Sequence, residues 1–261
     1  MNLSLVGKTA VVCGSSQGIG LATAKDLAQL GANCILLARN SDSLQKAAAQ
    51  LQVSENQTHG IAVADFSKPF QVKEAIATIV AKGPVHILVN NSGGPAAGPI
   101  IAATADDFLA GMQQHLINNH TLVQAVLPIM QQENYGRIIN IISTSVKVPL
   151  KNLGVSNTVR LAVAAWAKSL ANEIGAFNIT INNILPGFTD TKRLESLIAH
   201  TAKMQQQDTA AVSETMRREV PLQRFGTAEE IGAVAAFLAT PAASYINGAS
   251  IPVDGGRTGS L

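Results

Sequence analysis

Three glycines follow an apolar, β-branched run near the N-terminus, in the order Gly14, Gly18 and Gly20. The run at residues 8–13 is typical of a buried strand, and residues 21–30 after the glycines are typical of a helix. The N-terminus of such a helix offers unpaired N–H groups and a partial positive charge to phosphates. The pattern therefore predicts a dinucleotide-binding turn. Gly14 permits the tight turn, Gly18 lets the backbone approach a pyrophosphate, and Gly20 lets the helix pack closely on the strand.

The end of the second strand-like run bears on which dinucleotide is bound. An acidic residue there would bind the ribose hydroxyls and repel a 2′-phosphate, but the sequence reads Ala38, Arg39, Asn40. A guanidinium pairs with a phosphate through two parallel hydrogen bonds, so Arg39 favours NADP(H), with NAD(H) as the alternative. The competing interpretation is that Arg39 only points into solvent.

Strand-like and helix-like segments alternate along all 261 residues. Apolar runs lie at 33–38, 59–64, 85–90, 137–142, 178–185 and 249–253, and helical patterns lie at 42–52, 68–81, 106–131, 152–175 and 228–239. This alternation predicts an α/β fold, in which helices cover both faces of a parallel sheet. No internal repeat or linker interrupts it, so residues 1–261 are expected to form a single domain. Ligands bind such sheets beyond the carboxyl ends of the strands.

Composition narrows the class of protein. The chain is 47% apolar, only 14% of its residues are charged, and its net charge is +2, so neither a nucleic-acid nor a membrane partner is indicated. It has no apolar run of about eighteen residues and no signal-like N-terminus, so a soluble, cytoplasmic protein is expected. Cys13 and Cys34 lie in strand-like runs and are predicted to be small core residues, without a disulfide or a metal site.

Over essentially its whole length the sequence resembles the short-chain dehydrogenase/reductase family. Five motifs carry the resemblance: Gly14-x-x-x-Gly18-Ile19-Gly20, Asn90-Asn91-Ser92-Gly93, Ser143, Pro186-Gly187, and Ile251-Pro-Val-Asp254-Gly-Gly256. It implies a Rossmann-like, doubly wound sheet of seven strands, a nicotinamide cofactor and a small carbonyl or alcohol substrate. It also implies a homodimer or homotetramer formed through the long helices at 106–131 and 152–175.

The same resemblance implies the cofactor contacts. Asp65 would accept a hydrogen bond from the adenine amino group, unless it is only a helix N-cap, and Asn90 would lie against the adenosine ribose. Gln17 weakens the case for NADP(H), because many NADP-using relatives carry a basic residue there. The cofactor-binding residues expected in this way are Gly14, Ser16, Gln17, Gly18, Ile19, Gly20, Arg39, Asn40, Asp65, Phe66, Asn90, Ser92, Gly93, Arg160, Pro186, Gly187, Phe188, Thr189 and Thr191.

The family's catalytic pattern is altered at three of its four places. The family uses a Tyr as acid–base group, a Lys four residues later, a Ser that orients the carbonyl and an Asn on the preceding long helix. Ser143 is retained, but the expected Tyr and Lys positions hold Ser156 and Arg160. His115 stands where the Asn is expected, in a register that nearby asparagines leave open. Ser156 is shorter and less acidic than a Tyr, and Arg160 cannot shuttle protons.

Other residues are candidates for the missing acid. His115 is one candidate, because a histidine can donate a proton at physiological pH. The alternative interpretation is that it is a structural residue of the helix. Lys147 and Lys151 lie in the loop before the Ser156 helix, and Lys151 is the stronger candidate because it is closer to the helix. A lysine there can protonate a carbonyl, hold an acidic substrate or only face water. The polar stretch at about 190–220 is predicted to be a mobile, helical lid over the substrate.

Three functions stay open at this point. The first is an NADP(H)-dependent oxidoreductase, similar to 3-oxoacyl reductases, with an altered catalytic centre. The second is a catalytically silent NADP(H)-binding protein that acts as a sensor or a partner subunit. The third keeps the cofactor for a reaction without net redox, such as epimerisation.

Overall fold

The fold is built on one sheet of seven parallel strands, and the computed structural model describes residues 1–54 and 56–260 of the chain. The strands are β1 Thr9–Cys13, β2 Asn33–Ala38, β3 Gly60–Val63, β4 Ile87–Asn90, β5 Gly136–Ile141, β6 Ile179–Pro186 and β7 Ser250–Val253. Their order is β3-β2-β1-β4-β5-β6-β7. The chain therefore reverses direction across the sheet between β3 and β4, which places the switch point between β1 and β4. The predicted seven-stranded α/β fold is confirmed.

Helices cover both faces of this sheet. They are α1 Gly18–Gln29, α2 Ser41–Ala48, α3 Pro69–Val80, α4 Ala105–Met112, α5 Asn118–Gln132, α6 Gly154–Ile174, α7 Lys192–Gln205, α8 Thr209–Arg218 and α9 Ala228–Ala239. One apolar core lies between the sheet and α1, α2 and α9, and a second lies between the sheet and α3, α5 and α6. In the described part of the chain, no helix has the length and apolar character that a membrane span requires.

The long helix predicted at 106–131 is interrupted. Between α4 and α5 the backbone forms a π-helical turn over Gln113–Ile117, and His115 lies in that turn. Single π-turns inside α-helices are frequent at functional sites. A second difference is that the helix predicted at 42–52 ends earlier, since α2 reaches only Ala48. The polar stretch after β6 forms two helices, α7 and α8, and whether they move as a lid stays a prediction.

A ladder of buried amide side chains joins four neighbouring strands. Asn90 donates to Asn140 at 2.8 Å, Asn140 donates to Asn183 at 2.8 Å, and Asn183 donates to the Ser250 hydroxyl at 3.1 Å. The same residues are paired in register along β4, β5, β6 and β7. A buried amide left without a partner costs about 1–3 kcal/mol, so this ladder holds the four strands in register beside the switch point.

Both cysteines are unpaired and buried in the core, as predicted. Cys13 ends β1 and Cys34 lies in β2. Burial raises the pKa of each thiol to about 12. The thiols are therefore protonated at neutral pH and act as small apolar residues.

Candidate cofactor and active site

A cavity of about 630 Å³ opens at the carboxyl ends of the central strands, at the switch point. Its walls come from the glycine turn after β1, the loop after β4, the end of β5, the N-terminal part of α6 and the segment after β6. These elements are far apart in sequence, but parallel strands bring their carboxyl ends to one edge of the sheet. The cavity therefore lies where the sequence predicts the ligand site.

The glycine turn closes as the sequence predicts. Gly14 has a φ of +59°, and a Cβ there would stand 2.6 Å from the carbonyl oxygen of Asn91. A Cβ on Gly20 would overlap the carbonyl oxygen of Gly14. Gly18 has a φ of +56° and begins α1. The turn predicted at Gly14 is observed, and the close approach at Gly20 is to the carbonyl of Gly14 in the turn instead of to the strand.

The N-terminus of α1 is open towards the cavity. Its N-cap residue, Gln17, makes no side-chain capping bond, and the first turn holds no acidic residue. Gln17, Gly18 and Ile19 line the cavity, whereas Ser16 does not. Uncapped first-turn N–H groups and the helix dipole suit a phosphate, so this end of the cavity fits the pyrophosphate of a dinucleotide.

Ser15, which the sequence analysis did not single out, holds the glycine turn against β2. Its hydroxyl donates to the carbonyl of Val12 at 2.7 Å and accepts from the N–H of Leu37 at 3.1 Å. The side chain is fully buried. A buried serine between two glycines carries no local signal of this role, because its partner on β2 is 22 residues away.

The residues predicted for the adenosine end lie beyond β2 and β3. Arg39 and Asn40 follow β2 and are exposed, and Asp65 follows β3. The pKa of Asp65 is lowered chiefly by hydrogen bonds from the backbone and hydroxyl of Ser67, and less by Lys68 and Arg39. Asn40 caps α2 by accepting from the N–H of Ser43 at 2.8 Å. The positive charge of Arg39 therefore lies near the Asp65 carboxylate, at the edge where a 2′-phosphate would be expected.

The N-cap interpretation of Asp65 is wrong, whereas the cofactor contact of Phe66 stays a prediction. Asp65 is not a helix N-cap, because the N-cap of α3 is Lys68. Phe66 packs its ring into the apolar core, so only its backbone is offered to neighbours, and its carbonyl accepts from Asn118 at 2.7 Å.

The prediction that Asn90 lies against the ribose is wrong for its side chain. Asn90 is buried in the amide ladder and does not line the cavity. The next residue, Asn91, does line it, and its side chain donates to the carbonyls of Cys13 and Gly14, both at 3.3 Å. Asn90 is the last residue of β4, and a strand points successive side chains to opposite faces. The two neighbouring asparagines therefore point in different directions, and only the Asn91 side chain reaches the cavity.

Ser143, Ser156 and Arg160 are brought into the same cavity. All three line the cavity, and Ser156 and Arg160 lie one turn apart on α6. The Ser143 hydroxyl oxygen accepts from the N–H of Ser145 at 3.0 Å, which leaves its O–H to donate to a ligand. Arg160 donates from Nη1 to the carbonyl of Ile141 at 3.0 Å. Burial, and then the charge of Arg193, lowers the pKa of Arg160 to about 10, so it is a cation at neutral pH.

His115 does not fit the role of proton donor. It is buried behind Ser92, whose hydroxyl lies 2.9 Å from its Nδ1, and it does not line the cavity. Burial, and then the positive charge of Arg160, lowers its pKa to about 2. The imidazole is therefore neutral at physiological pH, and this prediction is corrected. Ser92 and Gly93, in contrast, both line the cavity as expected for cofactor contacts.

Lys151 does not reach the cavity either. Lys147 and Lys151 are exposed in the loop before α6, and the loop lines the cavity with Leu150 and Leu153 instead. The loop is held to the helix because the side chain of Asn157 donates to the carbonyl of Leu150 at 2.8 Å. The prediction that Lys151 is catalytic is not supported by this arrangement.

The segment after β6 forms another part of the cavity wall. Pro186, Gly187, Phe188, Thr189 and Thr191 all line the cavity, as the nicotinamide prediction requires. The Thr189 hydroxyl donates to the carbonyl of Gly187 at 3.2 Å, and the Thr191 hydroxyl donates to the carbonyl of Thr189 at 3.2 Å. These bonds hold the segment in a compact turn.

Two arginines of this wall were missed by the sequence analysis. Arg193 donates to the carbonyl of Pro95 at 3.1 Å, so it links the start of α7 to the loop after β4. Arg257 lies 4.1 Å over the Phe188 ring and pairs with Glu219 at 2.7 Å. Pro95, the partner of Arg193, and Glu219, the partner of Arg257, are distant from them in sequence. No local sequence pattern therefore indicates either contact.

Comparison with known proteins agrees with this geometry. A family model described as enoyl-(acyl carrier protein) reductase matches residues 14–258. The chain is 34% identical to 3-oxoacyl-(acyl-carrier-protein) reductase FabG of Pseudomonas aeruginosa, with 97% of this chain and 98% of that protein aligned. It is 29% identical to the NADPH-dependent reductase BacG of Bacillus subtilis, with 97% and 99% aligned.

A solved structure shows the same similarity in three dimensions. L-sorbose reductase of Gluconobacter frateurii, determined with NADPH and L-sorbose, superimposes with a TM-score of 0.92 at 29% identity, covering 100% of both chains. The family model spans most of the sequence, and the relatives align with nearly all of it. This protein therefore belongs to the short-chain dehydrogenase/reductase family.

Proposed function

We propose that this protein is an NADP(H)-dependent oxidoreductase that interconverts a carbonyl and an alcohol. One observation carries the proposal: a single cavity joins the glycine turn and open N-terminus of α1 to Ser143, Ser156 and Arg160. Similarity supports it, because BacG is an NADPH-dependent reductase and the L-sorbose reductase structure contains NADPH. When bound, the nicotinamide supplies or accepts the hydride.

The residues of the cavity wall stabilise charge on the substrate oxygen. The hydroxyls of Ser143 and Ser156 donate hydrogen bonds to that oxygen, and Arg160 places a positive charge beside it. Charge stabilisation of this kind, prearranged in a site that excludes water, is usually the largest single contribution to catalysis. Neither serine ionises near neutral pH, so these two hydroxyls do not supply the proton as a phenol would. The expected consequence is a slow hydride transfer compared with a site that contains a Tyr.

Arg39 is the proposed contact for the 2′-phosphate of NADP(H). Replacing it with alanine removes a charge-assisted bond worth about 1.5–3 kcal/mol. We expect Arg39→Ala to weaken NADPH binding by tenfold or more and to change NADH binding by less than twofold, measured by fluorescence titration. Equal weakening of both cofactors, or no change in either, would contradict this assignment.

The proposed assembly is a homodimer or homotetramer through α4, α5 and α6. Leu109 on α4 and Leu161 on α6 are each more than half exposed, and Ile117 lies exposed between α4 and α5. Exposed apolar side chains on adjoining helices are typical of an interface.

Leu161→Glu is expected to convert the oligomer to a monomer in size-exclusion chromatography with light scattering, because it places a charge in that interface. Leu222→Glu is the control, since Leu222 is a similarly exposed leucine outside these helices. If the Leu161→Glu protein keeps the mass of the native oligomer, the proposed interface is wrong.

Oxidation of NADPH tests the proposed reaction. The protein is mixed with NADPH and with ketones, aldehydes, quinones and 3-oxoacyl thioesters in turn. At least one carbonyl class should be reduced with stoichiometric loss of NADPH. Tight binding of NADPH without its oxidation by any class of carbonyl compound would favour the silent binding protein. The replacement of the catalytic Tyr and Lys by Ser156 and Arg160 is the observation that supports that alternative. Solvent-proton exchange into a substrate at constant NADPH would favour the epimerase.

A further inference from the structure

Two guanidinium groups converge on one point of the cavity. The Nη2 atoms of Arg160 and Arg193 each lie 3.5 Å from the position that a Cβ on Gly94 would occupy. The two atoms are therefore at most twice that distance apart. Gly94 also lines the cavity, and because it has no side chain the space between the two guanidiniums stays open.

Among the residues that the structure describes, neither guanidinium has an acidic partner within 4.0 Å. Across residues 1–54 and 56–260, each makes one hydrogen bond, from Arg160 to the carbonyl of Ile141 and from Arg193 to the carbonyl of Pro95. In this described part of the chain, no ion pair within 4.0 Å includes Arg160 or Arg193, whereas Arg257, in the same cavity, is paired with Glu219. The carboxylates that line the cavity, Asp190 and Glu229, form no ion pair with them.

This arrangement costs stability in the unliganded protein. Arg160 is more than nine-tenths buried, and burial of a charge without an opposite charge is unfavourable. The nearby charge of Arg193 adds repulsion, and both effects lower the pKa of Arg160. A bound anion would offset both the cost of burying the Arg160 charge and its repulsion from Arg193.

The position of Arg193 has no explanation in the helix that carries it. Arg193 is in the first turn of α7, where a positive charge opposes the helix dipole. Arg193 is exposed, and its side chain donates to the Pro95 carbonyl in the loop after β4. A positive charge at this position does not stabilise the helix, but it is well placed to bind an anionic ligand.

We propose that Arg160 and Arg193 bind an anionic group of the substrate, a carboxylate or a phosphate, so that the protein acts on negatively charged carbonyl compounds. The inference rests on the proposed function, because it assigns the substrate class of that same cavity. Guanidiniums bind both anions through paired N–H donors. Leu150, Leu153 and Leu197 also line the cavity and suit an apolar part of the substrate.

Binding to the NADP⁺-saturated protein tests this inference without requiring turnover. Three matched pairs serve as probes: acetoacetate and methyl acetoacetate, phenylpyruvate and methyl phenylpyruvate, and dihydroxyacetone phosphate and dihydroxyacetone. Isothermal titration should show at least one anion bound tenfold or more tightly than its neutral partner. A preference within the first two pairs identifies a carboxylate ligand, and one within the third identifies a phosphate.

Arg193→Gln should abolish that preference while the Kd for NADPH stays within twofold. Arg218→Gln, which removes the same charge from an exposed arginine on α8 outside the cavity, should keep the preference. Equal binding of anions and neutral partners, absence of any binding, or weakened NADPH binding in Arg193→Gln would overturn the proposal. A protein that binds the anions but oxidises no NADPH would leave the anion site supported and contradict the proposed function instead.

Discussion

Replacing Gly20 with alanine is expected to abolish measurable NADPH binding. In most helices this change is favourable by about 0.5–1 kcal/mol, because alanine loses less backbone entropy than glycine. Here the new methyl group would overlap the carbonyl oxygen of Gly14 and lie 2.8 Å from Nδ2 of Asn91. Backbone atoms cannot move aside as a flexible side chain can. The turn must therefore open, and the first N–H groups of α1 lose their alignment towards the pyrophosphate.

The measurement is the Kd for NADPH, which we expect to rise at least a hundredfold, beside a circular-dichroism spectrum that shows whether the fold persists. Gly60→Ala is the matched control, since a Cβ at that position would meet no atom within 4 Å. Native-like NADPH affinity in Gly20→Ala would show that the cofactor does not depend on this turn.

The double variant Ser156→Tyr, Arg160→Lys is expected to reduce small neutral ketones about a hundredfold faster than the native protein. Ser156 lines the cavity, so a longer side chain there extends into open space. A phenol beside a lysine supplies general acid catalysis, which typically contributes 10²–10⁴ in rate. The hydroxyls that line the native cavity belong to serine and threonine residues, which do not ionise near neutral pH.

Comparison with Ser156→Phe, Arg160→Lys isolates the effect of the phenol, because the phenylalanine has nearly the same volume without the hydroxyl. The phenylalanine variant should show no gain in kcat for neutral ketones. Equal rates for the two double variants would mean that proton donation does not limit the native reaction.

Features that are local in the sequence were predicted well. The glycine turn depends on backbone angles at Gly14 and Gly18, and the residue types themselves indicate those angles. The alternation of strands and helices follows from hydrophobic periodicity, and together with the family resemblance it predicted the observed parallel sheet of seven strands. The approach of Ser143, Ser156 and Arg160 also follows, because the strand end and the helix face fix their directions.

Features that depend on distant partners were missed or wrong. The pairing of Asn90 with Asn140 crosses two strands that are 50 residues apart, and it withdraws Asn90 from the cavity. His115 has the residue type of an acid–base group, but its burial and the charge of Arg160 make it neutral. Arg193 reaches the loop at Pro95 across 98 residues, so only the folded chain reveals the pair it forms with Arg160.

Deuterium transfer tests the central claim most directly. The native protein is incubated with NADPH deuterated at the transferring position of the nicotinamide and with the carbonyl panel, and the alcohol products are analysed by mass spectrometry. We predict an alcohol that carries one deuterium on the former carbonyl carbon, formed in step with NADPH oxidation and absent with Gly20→Ala. If NADPH binds tightly and no deuterium appears in any product, the cavity binds the cofactor without transferring hydride, and the proposed function is contradicted.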